Sequence, residues 1–150
     1  MASYPYKIAA DANDTLLITF PDFPEAVTWA KNVEEAERRA QDAIDTAIQG
    51  RISDKQEIPE PRKVARRPAV TLGTLRVAKV GLWNIMRRQD MTKAQLARKL
   101  KWSPGLVDRL FDPCHASRVG QIEDAAAALG AGIALTITPP KGRKKAKATA

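Results

Sequence analysis

Apolar residues dominate residues 4–10 and 15–20, on either side of the polar stretch Asp11-Ala12-Asn13-Asp14, so two strands joined as a hairpin are expected. Pro21, Asp22, Phe23 and Pro24 end that pair, and residues 26–29 read as a third short strand. The period then changes to that of a helix. Asn32 is placed to cap it with Glu35 at the reciprocal position, and Ala36, Ala40, Ala43, Ile44, Ala47 and Ile48 recur on one face. Glu34, Glu35, Glu37 and Asp42, on the polar side or near the N-terminus, suit the helix dipole, and Gly50 marks the expected end of the helix.

Residues 58–68 are rich in proline and arginine and read as a linker, and residues 70–75 as a strand returning to the first sheet. A helix is expected over 76–88 with Ala78, Leu82, Ile85 and Met86 on one face. Residues 92–111 then read as two short helices and a tight turn. Thr92 with Gln95 forms a capping-box pattern, Leu96, Ala97 and Leu100 give an apolar face, and Ser103 with Pro104 starts the second helix. Val107 and Leu110 bury that helix and leave Gly105, Asp108 and Arg109 facing outward. A last helix is expected over 118–129, buried through Ile122, Ala125, Ala126 and Leu129 and stopped by Gly130 and Gly132. Ile133, Leu135 and Ile137 alternate as a short strand able to pair with its copy in a dimer.

A helix pair whose second member presents its N-terminal end has the geometry that enters a DNA major groove. Helical hairpins are common, and charge is what separates this reading from a purely structural bundle. Residues 62–150 carry 19 Lys/Arg against 5 Asp/Glu, whereas residues 1–61 carry 6 against 12. A basic half holding a helix-turn-helix pattern is the footprint of a phosphate binder. Lys93 opens the first helix of the pair, Ser103 and Gly105 lie at the start of the recognition helix, and Asp108 and Arg109 face outward. Arg109 can bind guanine bidentately, and Arg118 in the following loop is a phosphate-contact candidate. Lys101 stands where such turns usually hold glycine, at a cost of about 1–2 kcal/mol for a left-handed residue.

At 150 residues the chain can hold one domain or two small ones, and its 44% hydrophobic content permits a core. No apolar run approaches the ~20 residues of a membrane span. The first residues lack the pattern of a secretory signal, and a lone cysteine, Cys114, fits a reducing cytoplasm, which is the expected location. Cys114 and His115 are adjacent and so poorly placed to act as a catalytic pair. No cofactor and no metal are implied. The segment 139–150 carries five positive charges and no negative ones, the composition of a disordered basic arm.

The order and spacing of several motifs resemble one family. They are the strand pair, Phe20 to Ala26, the capped helix with Glu34, Glu35 and Ala36, and Ile58-Pro59 with Pro61. The helix-turn-helix with Arg109, Leu110 and Phe111, then His115 and Ala116, follow. Over about residues 4–137 the chain resembles the HicB antitoxins of bacterial toxin–antitoxin pairs. The resemblance implies an α+β fold, with a small degenerate RNase H-like N-terminal domain and a C-terminal all-α helix-turn-helix domain ending in a short strand. The first would bind and silence a HicA-type mRNA-cleaving ribonuclease toxin, and the second would bind double-stranded operator DNA and repress its own operon. Members are typically homodimers or higher oligomers. The family usually has Gly and Thr just before the acidic helix, where this chain has Ala30, Lys31 and Asn32.

The expected division is a toxin-binding domain over 1–58, or to 75 with the return strand, a linker and return strand over 59–75, a helix-turn-helix domain over 76–138, and the basic tail over 139–150. Because the first half is acidic and such toxins are basic in the family picture, complementary charge would speed their encounter. Asp22, Glu25, Glu34 and Glu37, with Trp29 as an aromatic anchor, are the candidate toxin-facing residues. An enzyme is the first rival, since Asp11, Asp14, Asp22 and Glu25 are carboxylates an RNase H-like site would need around Mg²⁺. Asp11 and Asp14 sit in a turn and Asp22 between prolines, so a catalytic role is not expected. The second rival is a stand-alone transcriptional repressor with an N-terminal ligand- or protein-sensing domain.

Overall fold

The computed structural model describes residues 2–142. The chain runs β1 (Ser3–Pro5), β2 (Lys7–Ala10), β3 (Leu16–Thr19), β4 (Val27–Ala30), α1 (Val33–Ser53), β5 (Ala69–Thr71), α2 (Thr74–Arg88), α3 (Lys93–Leu100), α4 (Pro104–Phe111) and α5 (Val119–Ala128). This is a mixed α and β fold. The expected first strand is two strands, because the chain changes sheets at Tyr6, whose N–H donates to Pro68 O at 2.9 Å. β2, β3 and β4 form an antiparallel meander, and β1 pairs with β5 with Tyr4 opposite Val70. Residues 70–75 were expected to supply a return strand, and β5 is that strand, though it pairs only with β1.

The meander is two-faced. Ile18 and Ala30 are buried against α1, while Ala9, Leu17 and Trp29 stand opposite one another on the other face. Asn13 and Asp14 take left-handed conformations at the hairpin turn, which suits the short Asx side chains. Tyr4 is buried edge-on to Phe23, centroids 5.0 Å apart, and its hydroxyl donates to Pro59 O at 2.7 Å. Burial, then the nearby Asp22 and Glu60, pushes its phenol up to about 12.

α1 is capped by Asn32, whose Oδ1 accepts from Glu35 N at 2.8 Å. The reciprocal bond is displaced by one residue, since Glu35 Oε2 accepts from Lys31 N at 2.8 Å instead of from Asn32. Ala36, Ala40, Ile44, Ala47 and Ile48 are buried as the spacing requires, and Ala43 is half-buried. The helix does not stop at Gly50. The apolar period continues to buried Ile52, and burying it outweighs the roughly 1 kcal/mol that glycine costs inside a helix. The helix closes one turn later, where Lys55 is left-handed with φ of 56° and Gln56 N–H donates to Arg51 O at 2.8 Å.

α2 starts at Thr74, two residues before its expected start. Its buried stripe is Lys79, Leu82, Trp83 and Met86. Ala78 and Ile85, expected on the core face, are only half-buried and line a groove with residues 131–135. The expected strand at residues 133–137 is not formed. Among the described residues it has no partner strand to complete a ladder, and Ile133, Leu135 and Ile137 are exposed. Of the basic tail, only residues 139–142 are described, with no regular structure, and the remainder lies outside the described residues.

The segment before the proline-rich stretch is pinned to α2. Asn84 Oδ1 accepts from Ile58 N at 2.8 Å, and its Nδ2 donates to Ile58 O at 2.9 Å, both buried. Trp83 Nε1 donates to Gln56 O at 2.7 Å, and Arg76 pairs with Asp45 of α1 at 3.0 Å. Truncating Asn84 orphans a buried donor and a buried acceptor together. Asn84→Ala is expected to cost about 2–4 kcal/mol in chemical denaturation, and Asn84→Leu to cost no less. A midpoint unchanged in either variant would contradict this role.

Candidate functional site

The helix pair α3/α4 is built as its sequence dictates. Thr92 Oγ1 accepts from Gln95 N at 3.1 Å and Gln95 Oε1 accepts from Thr92 N at 2.9 Å, so the capping box is complete. Ser103 Oγ accepts from Leu106 N at 3.3 Å, with Pro104 at the first helical position. Between them Lys101 is left-handed, φ 57° and ψ 36°, and Trp102 N–H donates to Ala97 O at 2.9 Å. The turn therefore forms with lysine in the place glycine would fill. Leu96, Ala97, Val107, Leu110 and Phe111 are buried, and Trp83 packs edge-on to Phe111 with centroids 5.2 Å apart.

Ser103, Gly105, Asp108, Arg109 and Arg118 are all exposed, and Lys93 is half-buried. Lys93 Nζ reaches Asp108 Oδ1 at 3.1 Å, a bond from the start of α3 to the middle of α4. Arg109 forms no ion pair among the described residues. A methyl group at Gly105 would meet nothing within 4 Å. It shares that freedom with other helical glycines, and what sets it apart is its place at the exposed start of α4.

One group that holds this surface was not read from the sequence. Lys79 is 3% exposed, and its ammonium donates to Arg109 O at 3.1 Å, Asp112 O at 2.7 Å and His115 O at 2.6 Å. Its three protons are thus spent on the end of α4 and on the loop leading to Arg118. A cation there also matches the negative end of the helix dipole. Burial, partly countered by Asp112 and Cys114, holds this ammonium below the usual lysine range. The readable signal was its position, since Lys79 lies on the apolar stripe three and four residues before Leu82 and Trp83. Cys114 and His115 occupy the loop after α4.

The residues singled out in the first half do not form one patch. Asp22 is buried, and its carboxylate accepts from Arg62 N at 3.1 Å and pairs with Arg62 Nε at 3.1 Å, which ties down the proline-rich segment. Glu25 is bidentate with Arg51 at 2.6 and 3.2 Å, and that bond holds its carboxyl below the usual range. Glu34 and Glu37 are exposed on the first turns of α1 and line a groove against β5. Trp29 is 51% exposed on the meander face turned away from α1, beside Val27, and its Nε1 donates to Asp11 Oδ2 at 2.9 Å. Asp11, Asp22 and Glu25 therefore each hold a separate partner and do not converge. Among the described residues no group of three or more potential ligands is placed to share a metal ion, and no helix is long and apolar enough to cross a membrane.

A family described as the HicB-like antitoxin of bacterial toxin–antitoxin systems matches residues 3–81. The chain is 37% identical to antitoxin HicB of Pseudomonas fluorescens over 77% of its length and 81% of the relative's. It is 35% identical to antitoxin HicB 2 of Photorhabdus laumondii, covering 88% of this chain and 94% of that one. Against antitoxin HicB of Escherichia coli it is 31% identical over 89% of this chain and 98% of the other. The protein thus falls in the class of bacterial antitoxins. It belongs to the HicB-like antitoxin family.

Lys79→Met keeps the aliphatic stem and removes the cation from three carbonyls. It is expected to lower stability by about 2–4 kcal/mol and to speed amide exchange over residues 109–118. Unaltered exchange in that segment would show that Lys79 does not hold it.

Proposed function

We propose that this chain neutralises a small HicA-type ribonuclease toxin through its N-terminal half and represses its own operon by binding operator DNA through α3 and α4, as a homodimer in the cytoplasm. It acts by binding and not as an enzyme. Family membership supports the antitoxin role. The observation that carries the division of labour is that two exposed surfaces of different chemistry sit on the two halves. One is the open meander face with Trp29 and Val27, on the half that also carries the acidic first turns of α1 in a separate groove. The other is a doubly capped helix pair with Ser103, Gly105 and Arg109 turned to solvent in the half of positive charge.

In this reading the toxin docks on the open face of the meander with Trp29 as anchor, since an exposed aromatic on an uncovered sheet is a typical hot spot. Glu34 and Glu37 supply the field that steers a basic toxin and fix its orientation. Asp22 and Glu25 act one step back, holding residues 61–62 and the end of α1 in place. The three-stranded meander followed by one long helix is the part of an RNase H-like unit that serves as this platform. On the DNA side α4 enters the major groove, Arg109 reads a base edge, Asp108 holds Lys93 at the groove edge, and Ser103 and Arg118 meet the backbone. Residues 133–137, alternating and unpaired, would pair with the same segment of a second copy and set the spacing of inverted half-sites.

Trp29→Ala is expected to weaken binding of the toxin encoded beside this gene by roughly 30-fold or more. Glu34→Lys with Glu37→Lys is expected to slow association several-fold and to leave dissociation nearly unchanged. Calorimetry and stopped-flow mixing read these two effects. Full affinity in both variants would overturn the proposed toxin face.

A further inference from the structure

We infer that the DNA-backbone contact extends beyond α3 and α4 onto the N-terminal half, through a cationic groove where Lys55, Arg87 and Lys93 meet and which takes a phosphodiester group. This inference rests on the DNA-binding reading above.

The groove lies where three elements end or begin. Ile52, Ser53 and Lys55 bring the last turn of α1, Trp83 and Arg87 the last turns of α2, and Lys93 the start of α3. The indole of Trp83 organises it. Its N–H is committed to Gln56 O at 2.7 Å, which fixes the ring. Arg87 Cζ then lies 6.0 Å and Lys93 Nζ 5.9 Å from the ring centroid, the range in which an aromatic face attracts a cation. Two cations are thus held near one another by an uncharged group; Lys93 also pairs with Asp108 at 3.1 Å, whereas Arg87 has no carboxylate partner among the described residues.

Lys55 adds a third cation from the acidic half of the chain. It occupies the left-handed position that closes α1, where glycine is the usual and less strained occupant. Nothing within the fold uses its ammonium, since Lys55 and Arg87 form no ion pair among the described residues. The neighbouring carboxylates are engaged or face elsewhere. Glu57 pairs with Arg88 at 3.4 Å, Asp108 pairs with Lys93, and Asp54 lines the groove on the far side of α1 with Glu25.

Position selects the ligand. A second groove runs from the same last turn of α1, through Gln49 and Ser53, to Lys93, Asp108 and Arg109. The cationic groove is therefore continuous with the proposed reading surface of α4. A duplex seated on α4 carries one charge per ~1.7 Å of axis, so a neighbouring phosphate falls along this line. The N-terminal half, acidic as a whole, places its one lysine of the α1 terminus here.

The test uses the full chain with Lys55→Gln and Arg87→Gln, singly and together, on the duplex upstream of its own gene and on a random-sequence duplex of equal length. Each substitution is expected to reduce the slope of log affinity against log salt by ~0.9, equally on both duplexes, with an unchanged thermal midpoint. Arg109→Ala serves as the contrast and is expected to weaken the upstream duplex more than the random one. An unaltered slope in both glutamine variants, with Arg109→Ala still impaired, would overturn the groove and leave the DNA-binding reading intact. If the unsubstituted protein binds neither duplex, both readings fall. Binding of inorganic phosphate that shifts the Lys55 and Arg87 amide signals, without any change in the DNA slope, would mark a small-anion site and also overturn the inference.

Discussion

The amide of Asn84 paired to the backbone of Ile58 is the constraint on which the rest of this molecule depends. Ile58 and Asn84 are both buried, so their polar groups must be satisfied inside the fold, and each satisfies the other in two bonds of 2.8 and 2.9 Å. A side-chain amide here copies the donor–acceptor pattern of a strand neighbour. It fastens the exit of the N-terminal half onto α2, the helix around which α4 and α5 pack. Trp83 reinforces the join from the next position, with its N–H on Gln56 O and its ring against Phe111 of α4. The end of α1 is thereby set beside the start of α3 and the middle of α4.

The same economy recurs at the end of α4. One lysine from α2 gathers three carbonyls, each of which also accepts a local backbone N–H, and the loop carrying Arg118 follows that geometry. A buried charge is costly to desolvate, and here it is offset by charge-assisted bonds and by the helix dipole. These two polar fixtures, Asn84 and Lys79, both sit on α2. They order segments that lack regular structure of their own, which is why surfaces proposed for two different partners can be carried by a chain of 150 residues.

Much of this was legible in the sequence because it rests on local rules. The caps at Asn32, Thr92 and Ser103, the proline at the first position of α4 and the alanine face of α1 follow from residues three and four apart. The family too was legible, from ordered short motifs. What was missed depends on partners distant in sequence. Gly50 looked like a stop because its context reads as one locally, but burial of Ile52 carried the helix on. Residues 133–137 have the alternation of a strand, yet alternation supplies no hydrogen-bonding neighbour, and none is present among the described residues. Asp22 looked like a surface acid, and only the fold shows it buried against Arg62. Lys79 and Asn84 interrupt an apolar stripe, a sign that a polar residue faces inward, but spacing alone cannot say which carbonyls await it.

Fastened by Asn84 and Trp83 to residues 56–58, the two halves are expected to tumble as one rigid unit. The most direct test is to measure backbone N–H residual dipolar couplings of the full chain and fit them separately for residues 3–53 and 74–129. A single alignment tensor, equal in magnitude and orientation for both sets, is the predicted result. Two tensors of different magnitude or orientation would mean that the halves move independently and would contradict the account.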